Sequence, residues 1–177
     1  SSGEAFDPGM AANAKAFLGL PKDELVLNMV ELTESNQLAL GTKQGVVKRV
    51  LADYPPKDEI ELISLKPGDA VVGAAPATDE SELVFVTSDA QLLHFSAEQV
   101  RPQGRPAGGM AGINLDDKAS VIFFGVVNNP QTATVLTAAN ASDVLPGTDP
   151  GSGKVSALEE FPAKGRATGG VRAQRFI

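Results

Sequence analysis

From Gln37 onward the chain alternates between short apolar runs and clusters of Gly, Pro, Asp and Asn, and no stretch keeps a helical period. The runs are Gln37–Leu40, Val46–Leu51, Ile60–Leu65, Ala70–Ala74, Leu83–Thr87, Leu92–Phe95, Ala119–Val127, Thr132–Thr137 and Val155–Leu158. They are rich in Val, Ile, Leu and Phe, a composition that suits a pleated, half-buried surface. Between them, Lys66-Pro67-Gly68-Asp69 and Asn128-Asn129-Pro130 carry turn chemistry. The pattern predicts an all-β protein, with a further strand near Ala14–Leu20 and single helical turns near Ala52–Tyr54 and Ala97–Val100.

The runs repeat. Leu20, Glu24 and Val26 return as Leu65, Asp69 and Val71, and Leu and Val return again as Leu115 and Val121, at steps of 45 and 50 residues. Thr42, Thr87 and Thr137 end strands at the same steps. A period of this length marks propeller blades or solenoid units, none of which buries its apolar face alone. After each Thr comes a tight turn, Lys43-Gln44-Gly45 in the first unit and Ser88-Asp89-Ala90 in the second. In the third unit the turn is swollen into a Gly-, Pro- and Asp-rich stretch over 138–153, which reads as a surface loop. A third phrase, Gly104-Arg105-Pro106-Ala107-Gly108-Gly109-Met110, returns 61 residues later as Gly165-Arg166-Ala167-Thr168-Gly169-Gly170-Val171. The units run at about 9–75, 76–127 and 128–177, as though cut from a longer array whose outer units need caps or partners.

Composition narrows the chemistry. The chain has 177 residues, no cysteine, one histidine and a formal net charge of −7. Thiol chemistry and Cys-based metal sites are excluded. No run reaches membrane-spanning length and no signal-peptide pattern opens the chain, so a cytoplasmic location is expected. The negative total hides a polarity: residues 1–100 hold 7 Lys/Arg against 16 Asp/Glu, and residues 101–177 hold 8 against 6. His94 sits in a strand, where an outward-facing position is expected. Tyr54 before Pro55 matches Phe161 before Pro162 and is expected to pack. Asp116-Asp117 and Glu159-Glu160 read as turn and rim charges. No active site is visible.

The stretches LALGTKQGVVKRV, FVTSDAQLLHF and FPAKGRATGGV resemble the C-terminal domain of the A-type subunit of bacterial type IIA DNA topoisomerases, the family of gyrase and topoisomerase IV. The resemblance covers roughly Gly9 to Phe176. It implies a β-pinwheel, here a partial disc of about three four-stranded blades, each borrowing a strand from its neighbour. It also implies sequence-independent binding and wrapping of double-stranded DNA on the rim, which orients DNA for a distant catalytic core. The fragment itself would have no cofactor; Mg and ATP would be used by other domains of the parent topoisomerase. The implied partners are DNA, the catalytic core of the same polypeptide and a B-type ATPase subunit, in a cytoplasmic, nucleoid-associated setting. The basic Gln-Arg-Arg-Gly-Gly-Lys-Gly box of gyrase is absent, which leans the expectation toward topoisomerase IV.

Each unit contributes cations of the kind that phosphate binding needs. They are Lys43, Lys48 and Arg49; Arg101 and Arg105; and Lys154, Lys164, Arg166, Arg172 and Arg175. Equivalent positions in repeated units would form a discontinuous basic stripe, with the Gly pairs beside Arg105 and Arg166 leaving backbone N–H groups open to phosphate. The competing expectation is a protein-binding propeller, with an acidic face around Asp53, Asp58, Glu59 and Glu61 and around Asp79, Glu80 and Glu82.

Overall fold

The computed structural model describes residues 24–31, 37–139 and 152–173, together with Gly19, Pro21 and Thr33. The strand expected near Ala14–Leu20, residues 140–151 of the 138–153 loop and Arg175 lie outside these residues, while both ends of that loop are strand, in Thr134–Ala139 and Ser152–Ala157. Among the described residues there are eleven strands: β1 (Leu38–Thr42), β2 (Val46–Val50), β3 (Val71–Pro76), β4 (Glu82–Thr87), β5 (Gln91–Ser96), β6 (Pro102–Gln103), β7 (Met110–Ala111), β8 (Val121–Val127), β9 (Thr134–Ala139), β10 (Ser152–Ala157) and β11 (Val171–Arg172). One-turn 3-10 helices follow β5 at Ala97–Gln99 and β10 at Leu158–Glu160.

The first two repeats fold the same way because their turns are the same. Gly45 N–H donates to the Thr42 carbonyl and Ala90 N–H to the Thr87 carbonyl, each at 3.0 Å. Gly45 and Ala90 both take positive φ, +85° and +60°. These turns close the antiparallel hairpins β1–β2 and β4–β5. β3 then pairs with β1, and β8 with β4, in matching register with a bulge just before Thr42 and Thr87. The sheet orders are β3-β1-β2, extended by β6 and β7 on β2, and β8-β4-β5-β11.

The closing strands come from the following repeats. β7, in the second repeat, pairs with β2, and β11, in the third, pairs with β5. The phrase repeated after 61 residues is therefore the lead-in to a donated strand, as in a β-pinwheel. Gly109 and Gly170 let that strand approach: a Cβ at Gly170 would lie 2.7 Å from the Leu92 carbonyl oxygen, and one at Gly109 2.7 Å from that of Val47. Any side chain there would push the donated strand off its partner. In the third blade, β9 and β10 pair only with each other among the described residues.

The core lies between blades. Phe85 stacks on Phe95 and takes the edge of Phe124 at a centroid distance of 4.9 Å. Phe124 of β8 projects onto the first blade, where a Cβ on Gly41 would fall inside its ring and one on Gly73 would lie 2.5 Å from its carbonyl oxygen. Gly41 thus makes room for the Phe124 ring and Gly73 for its backbone. A second cluster, around Val84, Leu92, Leu158, Phe161 and Ala173, joins the second blade to the third. Tyr54 packs beside Leu38, Leu40 and Val50 in a third cluster, as its packing role requires.

Three expectations change. The Ile60–Leu65 run is extended but joins no sheet, because its Leu62 carbonyl accepts from Lys48 instead of from a neighbouring strand. Ala52–Tyr54 forms no helical turn; Asp53 N–H closes a tighter bond to the Leu51 carbonyl. Leu158 belongs to a 3-10 turn, not to the strand before it. The two-residue strands β6, β7 and β11 are too short to leave a hydrophobic period.

Candidate nucleic-acid interface

Two of the ten candidate cations are buried in the blades. Lys48 is fully buried on β2, and its ammonium donates to the carbonyls of Leu62, Arg105 and Ala107 at 2.8, 2.6 and 2.7 Å. Burial draws its pKa below the ordinary lysine range, with nearby Glu61 opposing that shift. Arg49 is also buried and donates to the carbonyls of Ala97 and Val100 and to Gln37, while pairing with Asp79 at 2.6 Å. The expectation that Lys48 and Arg49 face phosphate is therefore corrected: adjacent strand residues point to opposite faces, and here both faces of β2 are covered.

The other described cations remain outside. Lys43, Arg101, Lys154, Lys164 and Arg172 are exposed, and Arg105 and Arg166 are half-buried. Arg105 and Arg166 occupy equivalent positions one blade apart, each held at a seam. Lys48 grips the Arg105 carbonyl. The Arg166 N–H donates to Gln99 at 2.9 Å, and its guanidinium to the Ala111 carbonyl at 2.6 Å. Lys164 bends back toward the Gly170 carbonyl. Within the described residues, the side chains of Lys43, Arg101, Arg105, Lys154 and Arg172 make no hydrogen bond or ion pair. The glycines divide by role. Gly109 and Gly170 serve strand packing, while a Cβ at Gly165 or Gly169 would meet nothing, so the backbone beside Arg166 lies open.

His94 is the other correction, since it is buried and not outward-facing. It matches Arg49 in the repeat and does the same work. Its Nε2 lies 2.8 Å from the Phe161 carbonyl oxygen and its Nδ1 3.0 Å from Glu82. Arg49 reaches the carbonyl of Val100, the residue that ends the first 3-10 turn, as Phe161 ends the second. Two acids expected on a docking face, Asp79 and Glu82, are thus engaged at blade joints. Glu160 caps its own turn through the Ala157 N–H.

Sequence reasoning missed a staple joining two of the repeated phrases. Thr42 Oγ1 donates to Asp69 at 2.7 Å, Asp69 accepts from Gln44 N–H at 2.9 Å, and Thr42 accepts from Val46 N–H at 3.1 Å. In the second blade Ala119 stands where Asp69 would, and Asp89 in the turn takes the Thr87 hydroxyl instead. The common beat of Thr and Asp was the available signal.

The family described as DNA gyrase C-terminal domain, beta-propeller, matches residues 81–128 and 145–176. The chain belongs to this family of gyrase C-terminal domains. It is 31% identical over 160 residues to the A-type DNA gyrase subunit of Chlamydia pneumoniae, covering 86% of this chain and 18% of that protein. It is 30% identical over 167 residues to the A-type DNA gyrase subunit of Mycobacterium bovis, covering 90% of the chain and 18% of the relative. The chain thus spans less than a fifth of these curated relatives. Among solved structures, the C-terminal domain of DNA topoisomerase IV superposes with a TM-score of 0.73 at 21% identity, over 89% of this chain and 48% of that one. The DNA gyrase A C-terminal domain gives 0.69 at 21% identity, over 90% and 52%. The gyrase-family pinwheel accounts for the donated strands β7 and β11 and for the seams that hold Arg105 and Arg166.

Proposed function

We propose that this segment binds and wraps double-stranded DNA without reading its sequence, orienting it for the catalytic core in the A-type chain of a type IIA topoisomerase. The carrying observation is that Arg105 and Arg166 recur at equivalent seams of successive blades, their backbones anchored at 2.6 and 2.9 Å. Exposed Arg101, Lys164 and Arg172 lie near them in sequence and extend the same charge. Cations repeated at the blade interval, with no α-helix among the described residues to enter a groove, suit phosphate contact and DNA bending. The parent's DNA cleavage, its use of Mg and ATP, its pairing with a B-type partner and its place in the cytoplasm all follow from this reading and stand or fall with it.

Binding to a labelled duplex across a salt series tests the reading. Affinity should fall steeply with salt, and each phosphate-contacting cation replaced should flatten the log–log slope by about 0.9. Arg105→Gln and Arg172→Gln should each do so, while the fold melts as before. Failure to bind at low salt, or a slope untouched by both changes, would sink the proposal.

A further inference from the structure

The Gly-Arg loops are held from the inside by their carbonyls, and that fixes what they show to the outside. Lys48 is fully buried on β2, one repeat before the first loop, yet its ammonium takes two of that loop's carbonyls, Arg105 at 2.6 Å and Ala107 at 2.7 Å. The Ala107 N–H turns back to the Gly104 carbonyl at 3.1 Å, closing a tight turn with Arg105 at its second position. The peptide after Ala107 is trans and planar, with its N–H opposite its carbonyl. Drawing the Ala107 carbonyl inward therefore points the Gly108 N–H outward. Gly108 is exposed, and its N–H has no partner among the described residues.

The second loop reaches the same arrangement by other means. Leu93 stands in the register of Lys48 and serves the apolar core. Here the carbonyl of Thr168, the counterpart of Ala107, accepts from the Asn114 N–H at 3.0 Å, while Gln99 holds the Arg166 N–H at 2.9 Å. Gly169, the counterpart of Gly108, is again exposed, with an N–H that has no partner among the described residues. Two unrelated holders thus leave the same pair within reach of solvent: an arginine and, three residues on, a glycine N–H. A leucine suffices to pack this place in a blade, and burying a charge there is costly. The lysine serves the loop, not the core.

We propose that Lys48 is a positioning residue for DNA: it holds the Arg105 turn so that the Arg105 guanidinium and the Gly108 N–H meet backbone phosphate, as Arg166 and Gly169 do at the next seam. The inference rests on the DNA-binding reading given above. Phosphate oxygens accept from a guanidinium fork and from a backbone N–H alike. A turn fixed before contact spares the ordering cost that a loose one incurs on binding. Lys48 acts only through the loop, since its ammonium is spent on the carbonyls of Leu62, Arg105 and Ala107.

Amide NMR of the full 177-residue chain, titrated with a short duplex at low salt, tests this. In the native chain the Gly108 and Gly169 resonances should both shift. In Lys48→Met the Gly108 shift should be lost and the Gly169 shift kept, which also reports that the second seam is folded. The salt series is the second readout. Lys48→Met should flatten the log–log slope by up to about 0.9, one phosphate contact, and by nothing further once Arg105→Gln is present. A Gly108 resonance that ignores bound DNA in the native chain, or that shifts as much in Lys48→Met, overturns the proposal and leaves DNA binding standing. So does a Lys48→Met flattening that persists undiminished beside Arg105→Gln. No binding at low salt would remove the DNA-binding reading itself, and the proposal with it.

Discussion

The two joints of this molecule are built to one plan and finished differently. In both, a side chain from the second strand of a hairpin crosses to the carbonyl that ends the next 3-10 turn: Arg49 to Val100, and His94 to Phe161. In both, a nearby carboxylate holds that side chain, Asp79 or Glu82. The first joint is also plugged by Phe124, its ring over Gly41 and its backbone over Gly73, whereas the second keeps an open cavity. The polar latch therefore aligns adjacent blades without closing the space between them. Closure comes from the third strand, and stability should divide along that line.

Neighbouring residues on one strand give the largest contrast. Phe124 is 5% exposed and sits in the joint, while Phe123 is 52% exposed at the rim of the cavity. Phe124→Ala should destabilise by about 4 kcal/mol, with a lost ring and a residual cavity adding together. Phe123→Ala should stay within about 1 kcal/mol. Urea unfolding of both variants makes the comparison. Equal losses would mean that the second joint is as closed as the first.

Lys48 comes next, because only the first joint has it; its counterpart in the repeat is Leu93. Three carbonyls of two connectors converge on its ammonium, so Lys48→Met should destabilise by about 3 kcal/mol near neutral pH by leaving buried acceptors unpaired. The loss should depend on pH. A lysine whose folded pKa lies below 10.5 contributes stability above 10.5 that is lost as pH falls through the folded value. The native chain should thus gain stability relative to Lys48→Met as pH rises through that window. Tyr54, whose pKa burial raises above 10.0, works the other way: its contribution holds below 10.0 and is lost as pH climbs through the folded value. The difference between native and variant curves cancels Tyr54 and isolates Lys48. A flat difference would show that the carbonyls hold the charge against its desolvation.

Blades, hairpins and the beat of the repeats were legible in the sequence because β1, β2, β4 and β5 are dense in apolar residues and their turns carry Gly45 and Asp89. The donated strands were visible only as a repeated Gly-Arg phrase, since a two-residue strand has no period to detect. Arg49 and His94 read as surface groups because composition cannot tell a buried latch from a rim charge. Both strand faces are covered only once neighbouring connectors fold over them. Arg101 and Arg105 sit in or beside a connector and Arg172 on the two-residue strand β11, positions that leave their side chains without a partner among the described residues.

The smallest and sharpest contrast is at the threonines that end each hairpin. Thr42 is fully buried and has an acid from its own blade's third strand, whereas Thr137 is half-buried and has none among the described residues. Thr42→Val leaves one Asp69 carboxylate oxygen and the Val46 N–H without their threonine partner, and should destabilise by about 1.5 kcal/mol. Thr137→Val removes only a long contact to its own hairpin, so it should change stability by no more than about 0.5 kcal/mol. Urea unfolding of both variants makes the comparison, and an equal loss at the two positions would show that Thr137 holds a partner as firmly as Thr42 does.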